Sequence, residues 1–165
     1  MDSTEVLIKI RKIVRSINIE SKKIQKEYGV SIPQVLCLHY LKNSENYQAT
    51  QGQIRKFLNL NSSTISGIIN RLEIKGLVAR LPRKGDKRVV NISLTSRGDS
   101  LLQQIPSLLQ VTLSEKINKL DDQTVMQIFE SLELLVNLLD INDIEAFPSV
   151  ASDEVFIDHN SLNPK

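Results

Sequence analysis

The chain has 165 residues, of which 41% are hydrophobic and 24% are charged, values ordinary for one folded domain. Its single cysteine, Cys37, excludes an intramolecular disulfide. No apolar run reaches the roughly 18 residues that a membrane helix needs. Met1–Glu5 carries two acids and no basic residue, unlike a signal peptide, so we expect a cytoplasmic protein.

Charge is unevenly distributed along the chain, although the net charge is only +2. Between Arg71 and Arg88, seven basic residues stand against two acidic ones, a local net of +5. Between Asp140 and Lys165, six acidic residues stand against one lysine, a local net of −5. The basic segment indicates an anionic partner.

The N-terminal part of the chain predicts two helices and a loop. Apolar residues at helical spacing predict a first helix over about 4–28, ended by Gly29 in the left-handed conformation. Ser31 and Gln34 have the spacing of a capping box and begin a short second helix. The polar stretch Asn43–Ala49 predicts a loop.

Two further helices follow at the spacing of a helix-turn-helix. Thr50 and Gln53 repeat the capping-box pattern and begin a third helix, and Asn61 is a good N-cap for a fourth over Ser62–Lys75. The fourth helix has an apolar core face and a small, polar outward face. These faces are Ile65, Ile68, Ile69 and Leu72, and Ser63, Ser66, Gly67, Asn70 and Arg71, respectively.

Strand patterns follow the fourth helix. Leu77–Leu81 and Val89–Leu94 predict two strands of a β-hairpin, and Pro82–Lys87 predicts its turn. Cations crowd this tip, where like charges repel and an anionic backbone alongside would relieve the repulsion. The clustered cations are Arg83, Lys84, Lys87 and Arg88.

The C-terminal part predicts two amphipathic helices. Thr95 caps a fifth, whose apolar face extends to Ile117 and which Pro106 should kink or split. Asp121 caps a sixth that reaches about Leu139. Their apolar faces are larger than one small lobe could cover, which predicts a partner copy.

Four segments resemble the MarR family of winged-helix regulators, and the resemblance covers roughly Ile8 to Leu139. It implies a mainly α fold with a small β-hairpin wing, in which a winged helix-turn-helix lobe joins dimerisation helices from both chain ends. The segments are the R-L-E-x-K-G-L-V-x-R run within Asn70–Arg80, the D-x-R motif Asp86-Lys87-Arg88, the L-T-x-x-G pattern Leu94–Gly98, and Tyr28–Gln34.

The resemblance also implies how the chain is organised. One winged-helix domain would span residues 4–142, with a DNA-binding lobe at about 31–95 and dimerisation helices at about 4–28 and 96–141. Beyond this domain, the composition of residues 143–165 predicts an acidic, flexible tail, in which Val155–Ile157 is a candidate docked piece. Pro106 and this long tail depart from the family pattern.

The implied function is sequence-specific transcription regulation, more often repression, by a homodimer on a pseudo-palindromic operator of double-stranded DNA. The small outward side chains of the fourth helix suit close approach to base edges in the major groove. By the resemblance, Asp86 orients the wing and Arg88 reaches the minor groove or its backbone. The predicted DNA-binding residues are Ser62, Ser63, Thr64, Ser66, Asn70 and Arg71, with Arg83, Lys84, Asp86, Lys87 and Arg88 in the wing.

Other interpretations stay open. The serine-rich helix face can be merely solvated, and the chain can be a winged-helix protein–protein interaction module without specific DNA binding. No enzyme, cofactor or metal site is expected, because His39 and His159 form no Cys/His cluster with metal-ligand spacing. Cys37 fits a buried structural thiol better than a redox sensor. Any small-molecule effector is unknown.

Overall fold

The computed structural model describes residues 2–83 and 86–144, excluding the side chains of residues 82–89. Within these ranges the chain forms seven α-helices and a small three-stranded antiparallel sheet, which confirms the mainly helical fold class. In chain order the elements are α1 (Ser3–Tyr28), α2 (Ile32–Lys42), a 3₁₀ turn (Glu45–Tyr47), β1 (Gln48–Thr50), α3 (Gln51–Leu58), α4 (Ser62–Ile74), β2 (Val78–Arg83), β3 (Asp86–Leu94), α5 (Ser96–Gln104), α6 (Leu109–Ile117) and α7 (Asp122–Leu138).

The predicted signals at the helix ends are confirmed. Gly29 ends α1 with a φ of 67° and donates its N–H to the Gln25 carbonyl. At the start of α2, the Ser31 N–H donates to Gln34 Oε1 at 2.9 Å. These bonds satisfy backbone groups that the helix itself leaves unpaired, which is why short local patterns predict the boundaries well.

The hairpin is confirmed, but its strands are longer than predicted. The predicted turn Pro82–Lys87 was too long, because β2 extends through Arg83 and β3 begins at Asp86. The strand order is β1-β3-β2, so β2 is an edge strand. Proline is tolerated on an edge, where its missing N–H costs no ladder bond, and the pairing becomes irregular directly after Pro82.

The predicted loop Asn43–Ala49 is partly wrong, since it contains the 3₁₀ turn and the first two residues of β1. Strand β1 pairs antiparallel with β3, with Gln48 opposite Ser93 and Thr50 opposite Asn91. Such a short strand is stabilised by a partner more than forty residues away, so its own sequence carries little signal.

The hydrophobic core lies beneath α2, α3, α4 and the sheet. The predicted core face of α4 is confirmed, because Ile65, Ile68, Ile69 and Leu72 are all buried. Ile24 and Val30 at the end of α1 join the same core, as do Leu102, Ile105 and Leu108 from the region of α5. The core therefore contacts only the inner side of α4 and leaves its other side free of apolar packing.

Pro106 splits the predicted fifth helix in two, as the sequence indicated. Ile105 takes an extended ψ of 129°, because the ring of a following proline disfavours the helical region. The bend contacts α1, since Tyr28 Oη donates to the Gln104 carbonyl at 3.1 Å. The Glu20 carboxylate accepts the Leu109 N–H at 2.6 Å, which satisfies a free donor at the start of α6.

Three helices carry most of the apolar side chains that remain exposed. Helices α6 and α7 contain no buried residue, and α1 is buried only at Ser21 and Ile24. In the described part of the chain, no helix is both long and apolar enough to span a bilayer. The exposed apolar side chains include Ile13, Val14, Ile19, Leu113, Met126, Phe129, Leu132, Leu138 and Leu139.

Candidate nucleic-acid interface

Helices α3 and α4 meet in a tight turn whose backbone is locally specified. Asn59 ends α3 in the left-handed conformation, with φ 53° and ψ 46°, which asparagine tolerates better than most residues. Leu60 is buried and anchors the turn in the core. Asn61 then caps α4, because its Oδ1 accepts the Thr64 N–H and the Ser63 hydroxyl, each at 2.8 Å.

The outward face of α4 is polar and open to solvent. Of the predicted residues on this helix, Thr64 is half-buried and the other five are exposed. The structure therefore brings the six together on the side away from the core. They are Ser62, Ser63, Thr64, Ser66, Asn70 and Arg71.

One hydrogen bond crosses from α3 to this face. Gln51 Nε2 donates to Ser66 Oγ at 2.6 Å, and Ser66 Oγ donates to the Ser62 carbonyl at 2.8 Å. Sequence reasoning did not select Gln51 as a site residue, because the contact joins residues fifteen positions apart on two helices. The sequence marks Gln51 only by its place directly after the N-cap Thr50, as the first residue of α3.

Two cations of the basic segment serve the fold. Lys75 Nζ donates to the Gly29 carbonyl, and the Arg80 guanidinium pairs with the Glu73 carboxylate.

The hydroxyl of Thr95 holds the end of α4 as well. Thr95 Oγ1 accepts the Gly98 N–H at 3.1 Å and donates to the carbonyl of Gly76, which follows α4, at 2.7 Å. The C-terminal end of α4 is thereby tied to α1, β2 and α5.

The predicted wing residues lie largely outside the described part of the structure. Lys84 is outside it entirely, and for Arg83, Asp86, Lys87 and Arg88 only the backbone is described, within β2 and β3. Their predicted contacts with DNA stay predictions. Of the tail 143–165, everything from residue 145 onward, including Val155–Ile157, is outside the described residues.

Cys37 is fully buried in α2, and this burial raises its thiol pKa from 9.0 to about 12. The environment is therefore that of a structural thiol. Burial also lowers the pKa of the half-buried His39. Among the described residues, no cluster of histidine, cysteine and carboxylate side chains could hold a metal ion.

A cleft of about 450 Å³ lies between the end of α1, the end of α4 and α5. Tyr28, Leu77 and Leu101 contribute to its lining, together with the cations Lys75 and Arg97. The mixture of apolar walls and positive charge suits a small organic anion.

Known proteins share both the sequence and the fold. The MarR family model matches residues 30–90, from just before α2 to the middle of β3. The chain is 28% identical over 121 residues to the uncharacterized HTH-type transcriptional regulator YsmB of Bacillus subtilis, covering 73% of this chain and 81% of YsmB. It is 39% identical over 84 residues to the HTH-type transcriptional regulator PecS of Dickeya dadantii, covering 50% and 51% of the two chains.

These matches support a winged-helix transcription regulator of the MarR type. Members of that family are transcription regulators and not enzymes, so the same matches support a DNA-binding regulator. The fold agrees, because the crystal structure of the S. aureus MepR–DNA complex matches with a TM-score of 0.59 at 23% identity, over 78% of this chain and 94% of MepR. The helix-turn-helix of this chain is formed by α3 and α4, and its wing by β2 and β3.

Proposed function

We propose that this chain represses transcription as a homodimer, placing α4 of each copy in the major groove of a pseudo-palindromic operator. The observation that carries the proposal is the solvent-exposed, small and polar face of α4. Long side chains would hold the helix away from base edges, whereas serines permit close approach. On this face Asn70 and Arg71 are the side chains long enough to add base or phosphate contacts.

A homodimer is supported by the apolar side chains that one copy leaves in solvent. Most of them lie on α1, α6 and α7, where Phe129 and Leu138 remain 60% and 71% exposed. Burying this surface against a second copy would remove it from water and set two α4 helices at a fixed separation. That separation would match operator half-sites about one helical turn apart.

The wing supplies the proposed backbone contacts. Arg83, Lys84, Lys87 and Arg88 would neutralise phosphates, and Asp86 would orient the tip. MepR has been crystallised with DNA, and we extend DNA binding by this fold to the present chain.

Binding to the promoter region of its own gene tests the proposal. Fluorescence anisotropy at several salt concentrations should give a steep loss of affinity with salt, because phosphate contacts release counterions. Arg88→Ala should lower the salt slope by about one. Asn70→Ala should instead alter sequence preference. A folded dimer that shifts no duplex at low salt would favour the protein–protein module.

Repression and effector control are tested separately. A dimer on an operator that overlaps a promoter would block polymerase, so adding the protein should lower transcript yield in a reconstituted reaction.

The effector to test is a small aromatic carboxylate, because the cleft combines apolar walls with the cations Lys75 and Arg97. Such a compound should raise the melting temperature of the wild type but not that of Arg97→Ala. An equal rise in both proteins would place the effector elsewhere.

A further inference from the structure

Gln51 occupies a special position at the junction of α3 and α4. It is the first residue of α3 and is half-buried, and its Nε2 donates to Ser66 Oγ at 2.6 Å. Ser66 Oγ in turn donates to the Ser62 carbonyl at 2.8 Å. The two side chains therefore form a fixed pair on the edge of the exposed α4 face.

The hydrogen-bonding capacity of this pair differs between its members. A serine hydroxyl has one proton, and that of Ser66 is already committed to the Ser62 carbonyl. Ser66 cannot donate to a base without breaking this bond. A glutamine carboxamide has two N–H donors and one carbonyl oxygen, and the hydrogen bonds of the described residues occupy one N–H of Gln51. Gln51 thus keeps one donor and one acceptor for a ligand.

We propose that Gln51 reads an adenine in each operator half-site, with Ser66 as its positioning residue. The inference rests on the proposed function and deepens it. A carboxamide that presents oxygen and N–H side by side matches N6 and N7 of adenine in the major groove. The bond to Ser66 holds the carboxamide in one orientation, so less side-chain freedom is lost on binding. Ser66 then contributes to specificity through Gln51 and not by donating to a base.

The test begins with selection of duplexes bound by the full wild-type chain from a random pool. Affinities are then measured at one salt concentration for three duplexes: the selected one, the same duplex with the preferred adenine pair replaced, and a random one. The proteins compared are wild type, Gln51→Ala, Ser66→Ala and the double variant. Gln103→Ala is the matched control, since Gln103 is an exposed glutamine on α5.

Gln51→Ala should lose the adenine preference at one symmetry-related pair of positions, by roughly tenfold, and keep its affinity for random duplex. Ser66→Ala should weaken the preference at the same positions, and the double variant should be no worse than Gln51→Ala. Gln51→Glu keeps the size of the side chain but has no N–H to donate. It should shift the preference from adenine towards cytosine, whose amino group donates.

Other outcomes overturn the inference. Additive losses at different positions would show that Gln51 and Ser66 act independently. Equal losses on selected and random duplexes, with a lowered melting temperature, would show that the bond only joins two helices. Specific binding by wild type that Gln51→Ala leaves unchanged would refute the role of Gln51 and retain the proposed function. No binding by wild type to any duplex would refute both.

Discussion

Gly98 shows how a single residue fixes the orientation of α5 against the segment that joins α4 to β2. A Cβ at this position would lie 2.2 Å from the Leu77 carbonyl oxygen and 2.7 Å from Leu94 Cδ1. The first of these atoms is backbone and cannot rotate away. Helix α5 and the start of the wing therefore pack at a distance that only glycine allows.

Gly98→Ala should destabilise the fold by about 2 kcal/mol or more, because the backbones must separate to admit the methyl group. Gly52→Ala is the matched control, since its Cβ would meet nothing nearer than Thr50 Oγ1 at 3.9 Å. That variant should gain about 0.5 kcal/mol by restricting the unfolded chain. Urea unfolding followed by circular dichroism measures both. Equal stability of the two variants would contradict the close approach.

Cys37 should be inert to alkylation in the native protein. Its pKa of about 12 leaves almost no thiolate at pH 8, and burial blocks the reagent. Labelling should be complete in urea and negligible without it.

The raised pKa of Cys37 also makes the stability of the fold depend on pH. The folded thiol stays neutral while the unfolded thiol ionises from about pH 9, so stability should fall as the pH rises from 9 towards 12. Rapid native labelling at pH 8 would reopen a redox role.

At the scale of elements, α4 is held by different interactions at its two ends. Its N-terminal end is fixed by the Asn61 cap and by Gln51 from α3. Its C-terminal end is tied through Gly76 to Thr95 at the start of α5. Rigid ends matter for a recognition helix, because its side chains must reach base edges without a large entropic cost.

Substitutions of the α4 cap should separate stability from DNA binding. Asn61→Ala should cost about 1 kcal/mol, because two donors lose the Asn61 oxygen. Asn61→Asp restores the cap and places a negative charge at the helix N-terminus, where it stabilises the helix. This variant should therefore melt at or above the temperature of the wild type. It should bind DNA more weakly, because the same charge repels DNA phosphates. Unchanged affinity would place the N-terminus of α4 away from the DNA.

At the scale of the whole molecule, a single chain covers its lobe but leaves its terminal helices uncovered. Helix α7 has no buried residue in one copy. Ile128, Leu132, Leu135 and Leu139 follow one another at helical spacing and form one stripe along it. Helices of this kind gain most of their stability from packing of the apolar face, so folding and dimerisation should be coupled.

Leu132→Glu should therefore convert the proposed dimer to a monomer and lower the helix content, because a charge enters the centre of the apolar stripe. Asn137→Asp is the matched control, since it adds the same charge at an exposed polar position of α7. Sedimentation velocity measures the mass, and circular dichroism the helicity. A wild type that sediments as a monomer, or a Leu132→Glu variant that remains dimeric, would refute this interface.

Operator binding provides a second measure of the same assembly. A monomer presents one α4 and loses the joint attachment of two half-sites. Leu132→Glu should therefore weaken operator binding far more than binding to a single half-site. Equal weakening on the two duplexes would indicate that the two lobes do not bind together.

The sequence by itself determined the features that depend on near neighbours. The caps at Asn61 and Thr95, the core face of α4 and the break at Pro106 follow from hydrogen-bond and apolar patterns within a few residues. Tertiary structure alone decided the features that join distant segments. Strand β1 exists because Gln48–Thr50 pairs with β3, and Gln51 meets Ser66 because two helices cross. The physical reason is that a local pattern carries its own partners, whereas a long-range hydrogen bond exists only after packing brings both groups together.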